Sequence, residues 1–72
     1  MWIKAAWRAE AELHEACPLA MQWLHAKPRT LKQLAEENSD WARWALATMG
    51  RSLPREARVY LRQQIKRVQD GN

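Results

Sequence analysis

Apolar positions along this chain recur at intervals of three and four, not two, so the pattern predicts helices and no strands. From residue 2 to 16, Trp2, Ala6, Ala9, Leu13 and Ala16 share one face and Lys4, Arg8, Glu12 and Glu15 the other, with Ile3 and Trp7 at the edge. Pro18 suits a first helical position after Cys17, and Pro28 cannot continue a helix, so the two prolines predict a second helix over 18–26. Thr30 with Gln33 has the form of a capping box and opens a two-turn helix that turns Leu31, Leu34 and Ala35 inward. Asn38 or Ser39 caps the next helix, over 40–49, and Gly50 supplies a left-handed exit. The last helix runs from Leu53 to about Gln69, capped by Ser52, with Ala57, Tyr60, Leu61, Ile65 and Val68 inward.

The 40–49 segment is the most apolar of these. Trp41, Ala42, Trp44, Ala45, Leu46 and Met49 spread over about 200° of its circumference, leaving a narrow polar strip of Asp40, Arg43 and Ala47. Such a helix belongs at the centre of a bundle. With 72 residues the chain makes one domain, residues 1–72, that buries only about 60% of its unfolded surface, so each large side chain counts. The expected architecture is an all-α, compact, single-domain bundle of four to five short helices.

Five tryptophans and no phenylalanine put most of the aromatic area into one residue type. Trp23, Trp41 and Trp44 have apolar neighbours at helical spacing and are assigned to the core. Trp2 and Trp7 lie near the terminus, where core and surface roles both stay open.

Charge changes the picture at one end. Residues 1–50 hold six Lys/Arg and six Asp/Glu, whereas residues 51–72 hold six against two, so the whole formal charge of +4 resides in the C-terminal segment. Arg55, Arg58, Arg62 and Lys66 follow three-four-four spacing and stack along one face, which Arg51 extends. A solvated helix face explains such a stripe, and so does contact with phosphate or an acidic protein surface; Glu56 is its one nearby counter-charge.

Candidate catalytic chemistry is sparse. His14, Cys17 and His25 are the only soft ligands, fewer than a structural zinc site requires. No third residue orients a Cys-His pair, no glycine-rich phosphate loop is present, and so short a chain is expected to lack a substrate cleft. The expectation is a non-enzyme that needs neither cofactor nor metal. Cys17 has no internal disulfide partner, Met1 is not followed by an apolar leader, and no stretch approaches the roughly 20 apolar residues that cross a bilayer. A cytoplasmic, membrane-free setting is therefore expected.

The stretch TLKQLAEENSDWARWALATMG looks like a helix-turn-helix, yet Ser39 stands where that motif's turn usually has glycine and Asp40 where it has an apolar residue. Its second helix would offer DNA only Asp40, Arg43 and Ala47, a poor set for reading bases or gripping phosphates.

The segments EACPLAMQWL (15–24) and SDWARWAL (39–46), separated by TLKQLAEE, carry a resemblance. The pattern, Cys17, Ala20, Trp23-Leu24, then Asp40-Trp41 and Trp44, resembles small helical proteins of phages and other mobile elements. It covers residues 15–50; relatives often place a further cysteine before the Asp-Trp, where this chain has Glu36, Glu37 and Asn38. Because the matching residues are those assigned to the core, the resemblance implies origin, and function is expected outside it, in residues 1–14 and 51–72.

By analogy of class and size with anti-CRISPR proteins, the resemblance implies a binding protein that docks on and blocks a host protein or ribonucleoprotein complex handling nucleic acid, inside the bacterial host cell. The docking residues would be Arg51, Arg55, Arg58, Arg62 and Lys66, with nucleic-acid contact through the same helix as one form of it. The acidic residues Glu10, Glu12 and Glu15 form the alternative docking face. Two further expectations stand beside this one: a helix-turn-helix regulator that binds DNA itself, and an accessory protein that dimerises through Trp2, Ile3 and Trp7. A monomer or weak homodimer is expected.

Overall fold

Proline stands at three of the four helix junctions, and the order is α1 (Ala5–Leu13), α2 (Pro18–Ala26), α3 (Leu31–Glu37), α4 (Ser39–Met49), a 3-10 turn (Gly50–Ser52) and α5 (Arg55–Asp70). The computed structural model describes residues 1–71. The all-α bundle is as expected, and no helix among the described residues is long and apolar enough to cross a membrane.

The N-terminal residues are not helical. Ile3 N–H donates to Arg29 O at 2.9 Å and Leu31 N–H donates to Met1 O at 2.9 Å, so Trp2 pairs with Thr30 in an isolated antiparallel bridge. This ties the chain start to the entrance of α3 and delays α1 to Ala5, three residues later than expected. The inward face of α1 also differs from the expected one. Trp7 and Ala11 are buried, whereas Ala6, Ala9, Leu13 and Trp2 face outward. Alanine occurs on both sides of this helix and gives little directional signal; the large indole of Trp7 decides, because burying it removes far more apolar area from water.

α1 ends in a Schellman motif: Ala16 N–H donates to Ala11 O and Glu15 N–H donates to Glu12 O, each at 3.0 Å. The motif needs a left-handed residue at its pivot. Here that residue is Glu15, with φ 59°, the one non-glycine with positive φ among the described residues. α2 begins after Cys17 at Pro18 as expected, although the Cys17 side chain makes no capping bond.

The capping box at α3 is complete, with Gln33 N–H donating to Thr30 Oγ1 at 3.0 Å and Thr30 N–H donating to Gln33 Oε1 at 2.8 Å. Asn38 alone joins α3 to α4, as the C-cap of one and the N-cap of the other. Gly50 does not take a left-handed exit: its φ of −56° and ψ of −33° carry the chain on into the 3-10 turn. Ser52 does not cap α5 either. Pro54 occupies that position, and the Ser52 hydroxyl instead donates to Glu10 Oε2 at 2.9 Å, tying the 3-10 turn to α1. The last helix accordingly begins at Arg55 and not at Leu53, which is buried ahead of it.

The core is built chiefly by α3, α4 and α5, which pack against one another more extensively than any pair involving α1 or α2. Leu31, Leu34 and Ala35 meet Ala42, Ala45 and Met49, and both sets meet Ala57, Leu61 and Ile65, with Trp7 and Ala11 closing one side. Tyr60 and Val68 are half-buried, and the remaining buried position on α5 is Gln64. α2 is held through Trp23, whose ring meets Trp41 edge-on at 6.0 Å and stacks under the Arg29 guanidinium at 4.3 Å, while Arg29 Nε donates to Trp23 O at 3.0 Å.

Candidate functional site

α5 is the longest helix and the most sharply two-faced. Ala57, Leu61, Gln64 and Ile65 point into the core, so at about 100° per residue the opposite side presents Arg55, Arg62 and Lys66 within about 40° of one another. All three are exposed. Eleven residues separate Arg55 from Lys66, which at 1.5 Å per residue makes a stripe about 16 Å long.

The structure sorts the five expected docking residues into two groups. Arg55, Arg62 and Lys66 form the stripe proper, with exposed Arg51 on the 3-10 turn behind its start. Arg58 is only half-exposed. Its Cδ lies 3.8 Å from where a Cβ on Gly50 would stand, so its stem is laid against the 3-10 turn. Among the described residues none of the five makes an ion pair, whereas Arg43 is engaged by Asp40 at 3.0 Å. Val59, 41% exposed, lies on the same face and was not expected there. Its signal was present in the sequence, one residue beyond Arg58 on the outward arc, but a single valine among cations is hard to distinguish from an inward one.

Among the described residues the face carries no aromatic ring. Tyr60 is turned toward the core side and half-buried, so the stripe lacks the stacking platforms on which proteins lay single-stranded bases. Its chemistry is long-range attraction and charge-assisted hydrogen bonding to carboxylates or phosphates.

The alternative sites are less open. On the acidic helix Glu10 is taken up by Ser52, with His14 Nε2 3.7 Å from the same carboxylate oxygen, which leaves Glu12 and Glu15 as the acidic groups. In the helix-turn-helix stretch a single residue, Asn38, replaces a turn that ordinarily takes three or four. Asp40 and Arg43 neutralise each other on its outer side. Of the three residues proposed for dimerisation, Trp7 is buried and Ile3 half-buried, and Trp2 alone is open, 63% exposed.

The structure also contains a pocket, contrary to the expectation that so short a chain has no room for one. It measures about 280 Å³ and opens between α1–α2 and the α3–α5 core. Among the described residues no three His, Cys, Asp or Glu side chains come together as a metal-holding group. No family model matches the chain, and no curated protein or solved structure matches it either.

Proposed function

We propose that the protein is a non-enzymatic binding module of phage type that docks through α5 on a nucleic-acid-handling complex of its bacterial host and blocks it in the host cytoplasm, as an anti-CRISPR protein would. The observation that carries this is the stripe of Arg55, Arg62 and Lys66, exposed, aligned and, among the described residues, without ion-pair partners on the face of α5 opposite the core. A solvated helix face usually interleaves acids with its bases, and here Glu56 is the lone acid among the first fifteen residues of the helix. With no ring to stack bases, the face suits an acidic protein surface or a duplex backbone better than single strands. Arg51 and Arg58 support the patch from the 3-10 turn side.

The experiment is phage plaque formation on bacteria with active CRISPR immunity, with and without the protein expressed. Restored plaques are expected from the parent chain and not from the double variant Arg62→Glu, Lys66→Glu, which keeps its circular dichroism and melting temperature because both side chains stand in solvent. Full activity of the double variant would reduce the stripe to a solvated face. Absence of rescue by the parent, together with salt-dependent binding to plain duplex DNA, would favour a DNA-binding regulator instead.

A further inference from the structure

The pocket between α1–α2 and the α3–α5 core is lined by groups that leave space for an occupant. Ala11, Ala16, Ala20 and Ala45 stand on its walls, and their single methyl groups do not span the gap between facing helices. Leu61 borders it on the α5 side. By volume, about 280 Å³ is roughly twice the dry cavity that holds one benzene ring, which sets the occupant at about nine to twelve non-hydrogen atoms.

Charge on the lining narrows the class further. Glu15, an exposed residue, is its only charged lining residue among the described residues. We propose that this pocket binds a small amphiphile: an apolar chain of about eight to ten carbons inside, with a neutral or cationic polar end beside Glu15 and not a carboxylate. The site is independent of the basic face, because α5 contributes its core side to the pocket and its opposite side to the stripe.

The test uses 1-octanol, octylamine and octanoate as probes on the full chain. Octanol should produce saturable NMR shifts at the Met49 methyl and the Trp44 indole, both on the lining, and raise the melting temperature. Octylamine should bind several-fold more tightly than octanoate, and Glu15→Gln, which keeps the same backbone demand, should remove that difference. Filling the space with Ala20→Leu should abolish the octanol response while the helical spectrum persists; Ala45→Leu is the second variant should the first not fold. Octanol shifts that never saturate, or that appear on the surface as strongly as on the lining, would overturn the proposal. So would equal binding of octylamine and octanoate by the parent chain, which would remove Glu15 from the site.

Discussion

Glu15 sits where a helix-ending motif favours glycine, because only a residue without a Cβ turns left-handed at no steric cost. Glu15→Gly should therefore stabilise the protein by about 0.5–1 kcal/mol, relief of the steric cost of a Cβ in the left-handed conformation being partly offset by greater freedom in the unfolded chain. Urea unfolding followed by tryptophan fluorescence would measure it, and a loss of stability would mean that the Glu15 side chain contributes more than its backbone costs. The tryptophans near the terminus offer a paired comparison. Trp7 is 7% exposed and Trp2 63% exposed. Trp7→Ala should cost about 3–5 kcal/mol, and Trp2→Ala should stay within about 0.5 kcal/mol. Comparable losses in the two variants would contradict the placement of α1. Helical periodicity put Trp2 on the apolar face and Trp7 at its edge, the reverse of what the structure shows, because the bridge that turns Trp2 outward is made by residues 29–31, beyond the reach of that pattern.

Among the elements, α3 was the most legible because its start is fixed by bonds spanning three residues. Thr30→Ala removes the acceptor for Gln33 N–H and should cost about 1 kcal/mol, read as a lowered urea midpoint at unchanged slope. Gly50 illustrates the opposite case. A glycine after a helix suggests a left-handed exit, yet its backbone is right-handed, and an added Cβ would meet only the Arg58 Cδ at an ordinary 3.8 Å. Gly50→Ala should thus stabilise by about 0.4–1 kcal/mol through a less flexible unfolded chain; destabilisation would show that the 3-10 turn uses the glycine after all. Ser52 likewise has the composition of a cap, but its hydroxyl reaches Glu10, 42 positions away in sequence. A capping residue and a long-range donor look identical until the partner is in place. On α5, Gln64 occupies a core position at helical spacing from Ala57 and Leu61, and its polar side chain concealed a place that the period alone would have given it.

At the scale of the whole molecule, stability is unevenly distributed. α3, α4 and α5 make the dense packing, whereas α2 packs chiefly on α1, burying Ala20, and meets α4 through Trp23 against Trp41. Amide hydrogen exchange should show the slowest protons in α4 and α5 and the fastest helical protons in α2, with α2 opening below the global unfolding free energy. Uniform protection across all helices would instead indicate a single cooperative unit. The pocket under α1–α2 is consistent with this division.

The amino-acid sequence by itself determined the all-α class, the breaks at Pro18 and Pro28, the capping box at Thr30, the apolar character of α4 and the concentration of positive charge on α5. These rest on helical periodicity, on proline's missing N–H and on hydrogen bonds between near neighbours, all of which act within about one or two turns of chain. Only the tertiary structure decided which side of α1 is buried, which terminal tryptophan joins the core, where Ser52 sends its hydroxyl, and that Arg58 leans on the 3-10 turn while Arg55, Arg62 and Lys66 stand in solvent. It also decided that alanines on facing helices leave a pocket. The physical reason is common to all of these. Alanine fits a buried or an exposed position alike, and the direction a helix faces is settled by the area and the volume that distant segments bring to meet it.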